Sequence, residues 1–192
     1  MRSYRLAALT VCLACGPVSL PAQSFSFSAG GLYAALNGSD FDGINPGLGG
    51  DLQFRYHAAG GFSMGGGVQY TSHSIEGLGE SFGVRAFFAD ARYTFQPPSS
   101  PSAMPYLGVR VALAHYGVSS GGTDLTANGT AFGPVGGLFI RLGSATQLDV
   151  GMAWFSVRFG NFSVNGSEQA DTKSSGSALA VRAAVVVGFG KK

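Results

Sequence analysis

The chain is short of charge: Asp, Glu, Lys and Arg make up 11% of its 192 residues, against about 25% in an average soluble domain. A surface so thinly charged would be poorly soluble if water met it on every side. Cysteine is nearly absent, and the two present, Cys12 and Cys15, fall within the first 22 residues. Without that segment there is no thiol, which excludes disulfides, a cysteine nucleophile and a cysteine zinc site. Long apolar runs are missing beyond the N-terminus, although 45% of residues are hydrophobic and the mean hydropathy is +0.22. That combination excludes a helical membrane bundle, which needs about 20 consecutive apolar residues per span, and also a disordered chain. No segment sustains a helical period.

Residues 1–22 read as a cleaved secretory signal. Arg2 and Arg5 supply the positive start, Leu6 to Ala14 the apolar stretch, and Leu20-Pro21-Ala22 a small residue before cleavage after Ala22 or Gln23. Leu13-Ala14-Cys15-Gly16 is a weaker match to a lipoprotein site, because Cys12 stands where an aliphatic residue is wanted. Losing Arg2 and Arg5 leaves 10 basic residues against 10 acidic ones. A neutral chain argues against nucleic acid as a partner.

What is plentiful is glycine, 31 residues, about twice its usual share of roughly 7%, and alternation of period two. Leu52, Phe54 and Tyr56 share one face while Asp51, Gln53, Arg55 and His57 share the other, the mark of a strand with unlike sides. Such runs predict strands at 24–36, 48–58, 62–72, 82–95, 105–117, 132–142, 147–157 and 177–190. Each has the length that crosses a bilayer at a tilt, about nine to eleven residues. Parity blurs in the first strand and at Phe87-Phe88 of the fourth, and a bulge is expected at the latter. Long Gly/Ser/Asn/Asp-rich loops (37–47, 73–81, 118–131, 158–176) alternate with shorter connections (58–61, 96–104, 143–146). One mature domain, 23–192, is predicted: an all-β, eight-stranded antiparallel up-and-down transmembrane β-barrel preceded by the signal peptide.

Polarity assigns the two faces. The face carrying Asp51, Arg55, Asp90, Arg92, Arg110, Arg141, Asp149 and Arg182 is rich in glycine and small residues. It is predicted to fill the narrow lumen with a structural ion-pair network. The Val, Leu, Phe and Tyr face is too bulky for that interior and is assigned to lipid. Tyr56, Phe62, Tyr93, Phe95, Tyr106 and Phe189, with Phe25 and Phe27, are expected in an aromatic belt at the short-turn end. Trp154, with Tyr70, Phe82, Tyr116 and Phe132, is expected in the opposite belt.

The mature chain resembles the small outer-membrane β-barrel proteins of Gram-negative bacteria, the group that includes the OmpA transmembrane domain and OmpX. The resemblance rests on the signal, the eight long strands, Asp90-Ala91-Arg92-Tyr93-Thr94-Phe95, Pro105-Tyr106-Leu107-Gly108-Val109 and the closing Val185-Val186-Val187-Gly188-Phe189. It implies residence in outer-membrane lipid, export through the periplasm, and recognition by the barrel-assembly machinery through the last strand ending at Phe189. Here Phe189 is followed by Gly190, Lys191 and Lys192. It also implies a monomer whose loops can meet an extracellular ligand.

No catalytic or metal set is recognisable, and no cofactor is expected. His73-Ser74 and His115 with Ser119 are the only local pairs suggestive of a lipid A-modifying enzyme, and neither forms a nucleophile, base and orienter set. Asp40-Phe41-Asp42-Gly43-Ile44-Asn45 lacks the closing Glu of an EF-hand and reads as a turn-rich loop. The Asn-x-Ser/Thr triplets at Asn37, Asn128, Asn161 and Asn165, in or beside the outer loops, read as Asn-Gly turns rather than as glycan acceptors. The leading role is structural or surface-interacting, with a lipid-modifying enzyme, a small channel, or (if soluble) a lipocalin-like carrier as alternatives.

Overall fold

The computed structural model describes residues 24–77, 81–95, 102–120 and 122–189. The signal expected at 1–22 lies outside them, as do Pro97, Pro98, Pro101, Lys191 and Lys192. Eight long strands build a barrel: β1 Ser24–Asn37, β2 Gly47–His57, β3 Phe62–Ser74, β4 Ser81–Thr94, β5 Ala103–Ser120, β6 Thr123–Arg141, β7 Thr146–Phe159 and β10 Ser174–Phe189. Between β7 and β10 lies a small hairpin, β8 Ser163–Val164 and β9 Ser167–Glu168. Each long strand pairs antiparallel with its neighbour in order, and β1 closes on β10. Closure leaves no free edge, the condition for a sheet to cross lipid.

The register measures how far the strands lean. From Gly30 the direct partners run through Asp51, Gln69, Ala86, Ala114, Gly129, Phe159 and Ser174. Gly30's own partner on β10 is Ala184. The circuit therefore returns ten residues out of step. Ten residues of about 3.3 Å, over eight strands about 4.8 Å apart, tilt the strands by about 40°.

Parity then sorts the side chains. Outward positions of β10 run apolar from Leu179 to Phe189, about 33 Å of strand and about 25 Å of height at that tilt. That matches the apolar band of about 25 Å in outer-membrane barrels. Phe62, Tyr93, Phe95 and Phe189 stand exposed at its short-turn edge, Tyr70, Phe132 and Trp154 toward the other. Tyr56 also faces outward, partly covered by Phe25.

Four details depart from the alternation-based reading. No bulge occurs at Phe87-Phe88: Phe87 is 71% exposed, Phe88 5%, and pairing with β5 is unbroken there. Strand β6 begins at Thr123, not near 132, so most of the expected loop 118–131 is a hairpin extension of β5 and β6. Pro134 sits within β6, and the β6–β7 pairing skips from Phe132 to Val135 there, because proline has no N–H to give the ladder. Finally, Phe82, Tyr106 and Tyr116 do not belong to the belts; by parity all three face inward, and Phe82 and Tyr106 are buried.

The lumen is filled in three layers. Met104, Tyr106, Phe139 and Val186 close the short-turn end. Charged side chains occupy the middle. Above them an apolar layer includes Leu32, Phe88, Phe155 and Phe159 among many alanines. The interior is therefore bulkier in places than a glycine-lined lumen, and small residues opposite large ones make this possible. A Cβ on Gly129 would stand 2.6 Å from Cδ1 of Phe159.

Candidate functional site

The charged layer is one connected network. Asp90 on β4 accepts from three arginines: Arg55 Nη2 at 2.6 Å, Arg92 Nη2 at 2.9 Å and Arg110 Nη2 at 2.8 Å. Arg92 also reaches Asp149 on β7, 3.2 Å away. Arg182 on β10 donates through Nη1 to Asp149 and through Nε to Asp51, the latter at 2.8 Å. Every one of these groups is buried. Four guanidinium groups thus meet three carboxylates in a space closed to water, where attraction is strong and an unpaired charge is costly.

Neutral residues complete the shell. Gln53 donates to Asp90 at 3.0 Å, Ser63 accepts from Arg55 at 3.2 Å, and Ser28 accepts from Arg182 at 2.8 Å. Tyr106 donates its hydroxyl hydrogen to Asp149 Oδ1 at 2.8 Å, and its ring lies 4.6 Å under the Arg92 guanidinium. Arg110 lies 3.8 Å over the ring of Phe88. Gln53, Ser28, Ser63 and Tyr106 all share the inward parity of the ions; that shared face is the signal the sequence offers for them.

Of the eight residues expected in this network, seven come together and Arg141 does not. Its inward parity is correct, but it sits at the last position of β6 and is exposed. It borders a vestibule of about 800 Å³ at the short-turn end, with Ser26, His57, Met104 and Phe139. There the guanidinium meets water, so no carboxylate is needed beside it.

Among the described residues the three histidines have separate partners, and the Ser119 side chain expected beside His115 lies outside what is described. His73 and Ser74 project to opposite faces of β3; His73 is buried against Thr71 Oγ1 at 3.0 Å and stacks on Phe82. His57 lies 2.8 Å from Ser26 Oγ, and His115 bonds Asn128 Oδ1 at 2.9 Å. At the long-loop mouth, Asp40 accepts from the Ser175 backbone at 2.8 Å and Phe41 tucks inward against Phe159. The Asp40–Asn45 segment therefore serves as a lid over the apolar layer.

A closed eight-stranded wall, apolar outside and ionic within, inverts the plan of a soluble barrel. Among solved structures the chain resembles Neisserial surface protein A, with a TM-score of 0.62 and 20% identity over 87% of this chain and 97% of that one. It also resembles the outer membrane protein OprG of Pseudomonas aeruginosa, with a TM-score of 0.58 and 12% identity over 88% and 97% of the two chains. Ail, the attachment invasion locus protein of Yersinia pestis, gives 0.54 and 13% over 88% and 97%. The chain has the fold of a small outer-membrane β-barrel. No protein-family model matches the sequence, and no curated protein matches it either. The barrel's identity as a fold is thus carried by its shape, its register and its inverted polarity.

Proposed function

We propose that the protein is an integral outer-membrane barrel with a structural or surface-interaction role, its closed wall displaying the long loops to the exterior. The observation that carries this reading is the connected Asp/Arg layer across the lumen. It supports a plugged cylinder rather than a pore, because passage would require parting buried ion pairs. In this reading residues 1–22 direct export, the short turns face the periplasm, and the strand ending at Phe189 is what the barrel-assembly machinery recognises. The barrel is a monomer, and it carries out no chemistry of its own.

The test is electrophoresis of outer-membrane fractions with and without boiling. A faster-migrating unboiled band is expected from a closed, detergent-resistant barrel. A soluble periplasmic protein with no shift would overturn the proposal and favour a ligand carrier.

A further inference from the structure

The outward faces of the eight strands carry almost no charge. Among the described residues Arg85 on β4 and Arg158 on β7 are the cations there, both exposed, and neither has an acidic partner. The one outward acid on these strands, Asp124, stands near the tip of the β5–β6 hairpin. Register places Arg85 directly beside His115, and His115 beside Asn128. Arg158 pairs with Thr130, one outward position nearer the band on the same side of the barrel. All four therefore occupy one sector, β4 to β7, immediately above Phe87, Leu113, Phe132 and Trp154.

A groove of about 1500 Å³ follows this line around the outside of the wall. On β2 to β6 its lining brackets one inward residue with two outward ones, the pattern of a furrow between two ridges of outward side chains. The lower ridge is apolar at Val68, Phe87 and Leu113; the upper one carries Tyr70, Arg85 and His115. The side-chain carbonyl of Asn128 accepts from His115 Nδ1 at 2.9 Å, which leaves the Asn128 amide N–H groups without a partner among the described residues. The sector therefore offers two guanidinium groups and an amide donor at the edge of an apolar furrow. Three strand spacings separate Arg85 from Arg158, about 15 Å along the wall.

We propose that this sector binds a multiply phosphorylated glycolipid of the outer leaflet, its phosphates on Arg85, Asn128 and Arg158 and its acyl chains in the furrow below. Guanidinium groups suit phosphate because their forked donors match its oxygens. Cations at this level would otherwise face lipid without a counter-charge. The site rests on the membrane reading above and deepens it, since it gives the wall a preference among lipids.

The test uses the full barrel in detergent, mixed with bis-phosphorylated lipid A, dephosphorylated lipid A or inorganic phosphate, and native mass spectrometry of retained ligand. Wild type should retain the phosphorylated lipid, and Arg85→Gln/Arg158→Gln should lower retention by about tenfold or more. Arg85→Lys/Arg158→Lys should keep most of it, and Arg141→Gln all of it. Equal retention of dephosphorylated lipid, no loss in the Gln variant, or displacement of the lipid by millimolar inorganic phosphate would each overturn the site. If the Gln variant does not fold, the wild-type preference between the two lipids decides the question alone. A wild type without a heat-dependent band shift would instead overturn the membrane reading beneath it.

Discussion

The hydroxyl of Tyr106 on β5 bonds Asp149 on β7 across the width of β6, at 2.8 Å. The ring fits because the strands it crosses present glycine to it. A Cβ on Gly151 would stand 2.2 Å from the Tyr106 oxygen, and one on Gly137 2.6 Å from it. Removing the hydroxyl with Tyr106→Phe leaves Asp149 its two arginines and should cost about 1–2 kcal/mol. Gly151→Ala should cost about 1–3 kcal/mol by overpacking the slot. Urea unfolding of the barrel in detergent measures both. The double variant should cost less than the sum, because a ring without the hydroxyl relieves part of the clash; strict additivity would mean that the two sites do not share this space.

The three carboxylates of the lumen should not be equivalent. Asp90 serves three arginines, while Asp51 serves Arg182 alone and has one oxygen without a partner. Asp90→Asn leaves several buried cations short of an acceptor and should destabilise by about 3–5 kcal/mol. Asp51→Asn should cost distinctly less. Unfolding midpoints in that order support the network as drawn, and the reverse order would refute it.

Planar bilayers test the plug. Wild type should show no steady conductance steps, since the ionic layer and the two apolar layers fill the lumen. Regular ion-selective steps from pure wild type would show that the network parts readily, and the channel reading would replace the closed one.

The β8–β9 hairpin lies outside the ring of eight. It touches the wall through Leu125 with Val164, Thr126 with Ser163, and Phe162 against Tyr116. Replacing residues 161–172 by a short Gly-Ser turn should leave the heat-dependent band shift intact and lower stability by about 1 kcal/mol or less. Any surface-binding phenotype should be lost with it. Failure to assemble would mean that the hairpin is part of the folding unit.

Most strand positions are legible in the sequence because a wall between lipid and a packed lumen forces alternation. Where that contrast ends, so does legibility. Thr123 to Ala131 stands above the band, where both faces can be polar, and its strand reads as a loop. Tyr106 and Arg141 show the same limit at residue level. Parity puts both on the inner face, but only position along the strand decides whether that face is buried ion layer or open mouth. Tyr106 lies deep enough to join the ions; Arg141 lies one step too far. The shell of neutral partners around Asp90 and Arg182 is visible as shared parity, though nothing in the sequence marks which serine or glutamine reaches which ion.

Strict parity also constrains how such a chain can vary over generations. Asp90 and Arg92 sit two residues apart on β4, with Phe87, Ala89 and Tyr93 on the other side. Inserting one residue between Phe88 and Ala89 would turn Asp90 and Arg92 toward hydrocarbon and Tyr93 toward the ions. Length changes inside the wall are tolerable only in pairs, and even a pair alters the ten-residue offset that sets the tilt. Insertions and deletions should therefore accumulate at the loop tips, so that the surface diverges while the cylinder beneath keeps its dimensions.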